Sequence, residues 1–205
     1  MSILQTDSCE GLSIVIPLFN EEENIEELFC KIQEFSEIAN FVFEIILVDG
    51  CSTDLTYEKV LYQSKKLNIP QLKLLKMKTR KGYGYDIVAG LKTATFQNLA
   101  WTHADLQTDL QDLVIGYKLL KSSSTASLVK GRRKNRPLLD QFLTFGMQPF
   151  AFFQLRIYLS DINAQPKIFP KKFLKYFENA PDDFSLDLFF LLQAKKMNIV
   201  LSSIH

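Results

Sequence analysis

The sequence predicts an α/β domain, a parallel sheet with helices packed on both faces. Three observations carry that expectation. Short apolar runs alternate with amphipathic stretches of helical period, the rhythm of repeated β-α units. The runs are almost continuously apolar instead of alternating, as strands covered on both sides must be. Polar residues stand where those runs end, at Asn20 and Glu21, Asp49, His103 and Asp105, and in such sheets ligands bind beyond the strands' carboxyl ends, near a switch in strand order.

The elements come in turn. "LSIVIPLF" (Leu12 to Phe19) reads as a strand. Asn20 is placed to cap the first helix, and "EEENIEELFCKIQEF" puts Ile25, Leu28, Phe29 and Ile32 on one stripe behind an acidic first turn, a helix by period and by dipole. "FEIILVDG" is a second buried strand, and "STDLTYEKVLYQSKKL" opens on capping residues as a second helix. "LKLLKM" is a third strand, "KGYGYDIVAGLKTATF" a helix entered through glycines, "NLAWTHAD" a fourth strand, "LQDLVIGYKLLKS" a helix and "ASLVKG" a fifth strand. After Gly131 the rhythm gives way to a basic loop, a long aromatic helix, further helices and a final strand "NIVLSSI".

Bulk properties narrow the class. A chain of 205 residues fits one domain with a real core, and no repeat or linker divides it. Its net charge of +1 gives no field for nucleic acid. Cys9, Cys30 and Cys51 are odd in number and form no C-x-x-C, against a disulfide framework or zinc site and for a reducing compartment. "MSILQTDSCE" lacks the basic start and apolar core of a signal peptide, and no run of 18 apolar residues exists to span a membrane. The expected location is cytoplasmic.

Each strand end carries two readings. Pro17 lacks an N–H and suggests that the first strand breaks there and opens a pocket; alone it is an ordinary turn. Asp49 falls at a strand tip before Gly50, placed to accept from a base or ribose, whereas helix capping accounts for Asp54. "TRKGYGYD" holds only G-x-G and comes after the third strand, so it is a weak dinucleotide signal; Arg80, Lys81 and the amides after them remain suited to a base or phosphate. In "AWTHADLQTDL", residues at i and i+2 of an extended segment face one way, so His103 and Asp105 share a target. Asp105 suits Mg²⁺ or Mn²⁺ and the imidazole favours the softer Mn²⁺; otherwise they are a satisfied histidine and a helix cap.

Taken together, "SIVIPLFNEEENI", "EIILVDGCSTDLT", "KGYGYDIVAGLKTA", "AWTHADLQTD", "VKGRRKNRPLLDQFL", "LSDINAQPKIF" and "DDFSLDLFFLLQAKKMNIV" resemble, in order and spacing, the family 2 glycosyltransferases of GT-A fold. The pattern is nearest the dolichol- or polyprenyl-phosphate sugar synthases. The resemblance implies a Rossmann-like, mixed but mostly parallel sheet with helices on both faces, in a single domain over 1–205. Residues 1–131 would form the nucleotide-sugar half and 132–205 the acceptor half. It implies an inverting hexosyl transfer from a nucleotide-sugar to a lipid phosphate or a cell-surface glycan, in cell-envelope synthesis.

By that resemblance Pro17, Phe19, Glu21 and Asp49 line the base and ribose pocket, and Ala104 touches the donor. Asp105 is the last acid of the family's Asp-x-Asp, which holds the metal on the diphosphate, and Gln107 comes after it as in D-A-D-x-Q. His103 departs from the pattern, since aspartate is usual there, which bears on metal choice and metal dependence. Gln165 and Lys167 fall on the segment near the acceptor. Asp182, Asp183 and Asp187 are candidate bases, Asp187 fitting best and helix capping explaining the other two; a phosphate acceptor, already ionised, needs no base. In "KGRRKNR", Arg132 and Arg133 would clamp the diphosphate, an acceptor phosphate or anionic headgroups; a solvated loop is the plain alternative. The aromatic stretch Leu138 to Leu159 is either core or a helix lying at the inner face of the membrane. Relatives of this pattern usually continue beyond "VLSSIH", so whether this sequence is a C-terminally truncated fragment lacking an acceptor-side lid or membrane segment stays open.

Two other classes stay open: a nucleotide-sugar-binding protein that has lost turnover, and a nucleotidyltransferase, which would carry a glycine-rich segment near the first strand where "IPLFNEEENI" has no glycine. Oligomeric state, base and sugar are left undetermined.

Overall fold

The computed structural model describes residues 9–106, 108–123, 127–131 and 162–204. The first four β-α units keep the expected order: β1 (Leu12–Leu18), α1 (Ile25–Ile38), β2 (Phe43–Asp49), α2 (Thr56–Leu67), β3 (Leu72–Lys76), α3 (Tyr83–Thr93), β4 (Asn98–Trp101) and α4 (Gln111–Ser122). Then come β5 (Ser127–Lys130), β6 (Lys167–Pro170), a 3₁₀ turn (Lys171–Phe177), α5 (Leu186–Lys196) and β7 (Val200–Ser203). The basic loop and the aromatic stretch lie outside the described residues.

Seven strands form one sheet in the order β3-β2-β1-β4-β6-β5-β7. β6 runs antiparallel to both neighbours, and the other described pairs are parallel. Strand order reverses at β1, with β2 on one side and β4 on the other. The sequence reading missed β6. A four-residue run between a lysine and a proline has no usable period, and its place between β4 and β5 is what makes it a strand. That insertion seats the segment before the 3₁₀ turn between β4 and β5.

Helices do cover both faces. Leu12, Ile14, Ile16 and Leu18 of β1 pack with Phe29 and Ile32 of α1, Val60 of α2 and Leu113 of α4. The opposite face of the same strand sends Val15 into a core with Ile87 and Leu91 of α3, Phe173 and Phe177 of the 3₁₀ turn and Phe190 of α5. Trp101 of β4 is fully buried there, edge-on to Phe169 and Phe190. The period-2 alternation of a strand thus serves two cores from one apolar run.

At the far end of the sheet from the strand tips, Glu44 is buried at 4% exposure. It accepts from Ser13 Oγ at 2.6 Å and from Thr95 N and Oγ1 at 2.7 Å, and it pairs with Lys73. Burial opposes its charge, but the bonds from Lys73, Ser13 and Thr95 outweigh it and hold the carboxyl below its usual range.

Candidate functional site

Pro17 decides where the sheet opens. In a parallel strand a residue's N–H and C=O face the same neighbour; Leu18 O accepts from Gly50 N on the β2 side, while Val15 O accepts from Thr102 N on the β4 side. Pro17 shares Val15's direction, so its missing donor faces β4. Pairing with β4 stops at Val15↔Trp101, whereas pairing with β2 runs on to Leu18↔Asp49. Past that point lies a cavity of ≈ 520 Å³.

Pro17, Phe19 and Glu21 line it from β1, and His103, Ala104 and Asp105 from the end of β4. Arg80 comes from the loop before α3, Tyr83 and Asp86 from the start of that helix, and Asn163, Phe184 and Asp187 from the later chain. Of the sequence candidates, Asp49 is fully buried behind the wall and Gln165 and Lys167 are buried around Asp187. Lys81 is not among the lining residues; its Nζ lies over the Tyr85 ring, 4.3 Å from the centroid. Asp183 is exposed and caps the approach to α5, accepting from Ser185 N at 2.9 Å and Oγ at 2.6 Å; Ser185 holds its carboxyl below the usual range. Gln107, Arg132 and Arg133 lie outside the described residues.

The end of the cavity at the tips of β1 and β2 is built by two interlocked loops. Asn20 does not cap α1, which begins at Ile25. It sits at φ 54, and its Oδ1 accepts from Thr53 N at 2.9 Å while its N–H donates to Ser52 Oγ at 3.0 Å. Glu21 N donates to Thr56 Oγ1 and Glu22 N to Asp54 Oδ2. The capping residues of "CSTD" therefore tie the β1 tip to the β2 tip. Over this floor the Arg80 guanidinium stacks on Phe19, 3.2 Å from the ring centroid. Asp86, which sequence reasoning did not pick out, closes the inner wall at 3% exposure. Burial pushes its carboxyl up to about 6, with Arg80 opposing and Asp49 adding to the rise.

On the β4 side the strand stops at Trp101, four residues earlier than "NLAWTHAD" suggests, so His103 and Asp105 stand on a loop and not on an extended segment. Leu106 comes next at φ 61, an uncommon conformation for a leucine that turns the chain straight after Asp105. The imidazole of His103 stacks on Tyr83, centroids 5.3 Å apart and planes at 21°. Among the described residues no three His, Cys, Asp or Glu side chains converge on one point. An exposed Asp105 with His103 nearby still suits a hard cation that takes its remaining ligands from phosphate oxygens and water.

Around Asp187, Lys167, fully buried, donates to Ile162 O and Ala164 O at 2.8 Å and to Asp187 Oδ1 at 2.7 Å, using all three ammonium protons. Asp187 Oδ1 also accepts from Gln165 Nε2 at 2.9 Å, and its Oδ2 from Tyr83 Oη at 3.3 Å. Burial, and after it the charge of Asp187, pushes the Tyr83 phenol well above its ordinary value, so it stays protonated and donates. The G-x-G before α3 makes room for this contact. A Cβ on Gly82 would meet Asp182 O and one on Gly84 would meet Pro181 O, while Tyr85 N donates to Asp182 O at 3.1 Å.

A family model for "Glycosyl transferase family 2" matches residues 13–164. The chain belongs to that family. Its members similar to this chain include a dolichol-phosphate mannosyltransferase of Pyrococcus furiosus, 30% identical over 140 residues, 66% of this chain and 38% of that protein. A dodecaprenyl-phosphate galacturonate synthase of Rhizobium johnstonii is 30% identical over 125 residues, 61% of this chain and 36% of that protein. The chain thus spans well under half the length of these relatives.

Among solved structures, a mannosyltransferase from Pyrobaculum calidifontis in complex with GDP-Man and Mn²⁺ superposes with a TM-score of 0.69 at 21% identity, over 96% of this chain and 55% of that one. Glucosyl-3-phosphoglycerate synthase from Mycobacterium tuberculosis with Mg²⁺ and UDP gives 0.70 at 16% identity, over 95% and 68%. These likenesses show the fold, a GT-A fold. Within it Asp86, Tyr83, Asn163 and Phe184 are the lining residues that the motifs did not announce. Asp86 alone left a trace: it is an acid one turn before Gly90 on the buried stripe of α3.

Proposed function

We propose that the cavity binds a nucleoside diphosphate sugar and that the protein transfers the hexose, with inversion, to polyprenyl phosphate; a growing surface glycan is the other acceptor class. The observation that carries this reading is one cavity at the strand-order switch that gathers Asp86, Arg80, Asp105 and Asp187. Asp49 and Asp86 face the nucleotide end, and Asp105 with His103 would hold Mg²⁺ or Mn²⁺. That ion would neutralise charge on the diphosphate as it leaves, with Arg132 and Arg133 as further cationic support. An acceptor phosphate oxygen forms the new bond to the anomeric carbon as the carbon–diphosphate bond breaks, releasing the nucleoside diphosphate. Because that phosphate is already ionised, Asp187 serves to hold Gln165, Lys167 and Tyr83 at the acceptor wall and needs to remove no proton.

No helix among the described residues is long and apolar enough to cross a membrane. The relatives named for lipid phosphates, with the sequence "KGRRKNR" and the aromatic stretch after it, support peripheral contact at the inner membrane face.

The test measures thermal midpoints with UDP, GDP, dTDP and CDP, each with and without Mn²⁺, on wild type and Asp105→Ala, and then transfer of labelled sugar to polyprenyl phosphate. Ligands that bind only the folded state raise the midpoint. A Mn²⁺-dependent rise lost in Asp105→Ala supports the metal assignment, and a metal-independent rise makes His103 the mark of a metal-free donor site. Binding with neither transfer nor hydrolysis would identify a nucleotide-sugar-binding protein. No rise with any nucleotide sinks the donor reading.

A further inference from the structure

Two buried carboxylates stand near each other at the inner end of the cavity, Asp86 in its lining and Asp49 behind it, and each leaves one oxygen without a partner among the described residues. Asp49 ends β2 with no exposure, and its Oδ2 has no hydrogen-bond partner among the described residues. Its Oδ1 accepts a long bond from Ser52 N at 3.3 Å. Asp86, on the first turn of α3, lines the cavity, and its Oδ1 also lacks a partner among the described residues. The pair meets over Gly50, where a Cβ would run into Asp86 Oδ2, so a larger residue after Asp49 would push Asp86 away. The charged groups acting on Asp86 are Asp49 from β2 and Arg80 from the loop before α3, and Arg80 is itself stacked on Phe19.

Orphan acceptors in a dry wall are costly, and two together call for a ligand that brings two donors. Guanine presents N–H donors on two adjacent atoms, N1 and the N2 amino group. Uracil and thymine offer a single N3–H, and adenine and cytosine a single amino group. We propose that Asp86, paired with Asp49, reads the base of the donor and selects guanine, so that the sugar arrives on guanosine diphosphate. This rests on the donor-site reading above. Ionised Asp86 accepts a charge-assisted hydrogen bond from the base, roughly twice as strong as the bond its protonated form still accepts through the carbonyl oxygen. Because burial raises its carboxyl to about 6, a proton competes with guanine as pH falls through that value.

The experiment is calorimetric titration of GDP, inosine diphosphate and UDP, with Mn²⁺ present, on wild type and Asp86→Asn at pH 7.5 and pH 5. Inosine diphosphate is GDP without the N2 amino group. A hydrogen bond to a charged group is worth about tenfold or more in affinity, so wild type should bind GDP about tenfold tighter than the other two at pH 7.5. Asp86→Asn should bring GDP down to the level of inosine diphosphate, and at pH 5 the wild-type preference should shrink. Equal binding of GDP and inosine diphosphate by wild type, or a preference for UDP, overturns the proposal while leaving the donor site standing. Failure of all three to bind overturns the donor site itself. The wild-type comparison of the two purine nucleotides decides the question even where the variant folds poorly.

Discussion

Asp86→Asn should make the ligand-free protein more stable at pH 8 while it damages the site. The wild-type carboxyl has been moved from 3.8 to about 6 by burial and by Asp49, against Arg80. Its folded-state value lies above the unfolded one. The associated stability is therefore fully present below about pH 4 and is lost as pH rises through about 6. A tenfold change in proton affinity is worth about 1.4 kcal/mol, so the ionised group costs up to about 3 kcal/mol relative to its neutral form. Asparagine keeps the shape and carries no charge beside Asp49. A gain of about 2 kcal/mol raises the midpoint of a chain this size by roughly 4–8 °C. Thermal unfolding of both proteins from pH 5 to pH 8 would show the gain at pH 8 and little of it at pH 5. A variant less stable than wild type at pH 8, or with an unchanged pH profile, would refute the account of a carboxyl held at a cost for function.

The other predictions concern how the site is supported. Gly84→Ala gains about 1 kcal/mol of helix propensity, but its Cβ would meet the Pro181 carbonyl; overpacking against backbone costs about 1–3 kcal/mol, so denaturant titration should show net loss and the transfer assay a slower rate. Lys167→Met leaves Asp187 buried without its cation and should cost about 3–5 kcal/mol; adding Asp187→Leu should return much of the stability in the same titration. Glu44→Gln breaks the pairing with Lys73 and should cost about 1–3 kcal/mol at neutral pH. Because the folded Glu44 carboxyl is lowered from 4.5, wild-type stability from this group is present above pH 4.5 and drains away as pH falls through the lowered value. The acid limb of the wild-type stability curve should flatten in the variant.

The sheet was legible because β1 and β2 are buried on both faces and leave nearly unbroken apolar runs. β6 was not, since Lys167 and Pro170 erase the pattern of a strand whose partners lie far away in sequence. The site was legible where it sits on strand ends, at Pro17, Phe19, Glu21 and the His103–Asp105 turn, because parallel sheets put ligands there. It was illegible where a helix start or a distant loop reaches in. Nothing local says that Phe184 stacks on Tyr83, centroids 4.6 Å apart, or that the G-x-G packs against residues 181–183.

His103 and Tyr83 make more sense together than apart. The resemblance leads one to expect an acid at 103, yet the imidazole lies nearly parallel on the Tyr83 ring, which also stacks with Phe184 at an interplanar angle of 14°. A carboxylate has no ring to stack, so the tyrosine face would be left to solvent. The phenol at the centre of this stack donates to Asp187, which holds Lys167 and Gln165. A continuous set of contacts therefore runs from the turn after β4 to Asp187 of α5 through one tyrosine. Gly82 and Gly84 flank that tyrosine and let residues 181–183 close on it. Where the resemblance leads one to expect an acid, the imidazole at 103 joins the end of β4 to the later chain through this stack, and Asp105 stands beside it on the exposed turn.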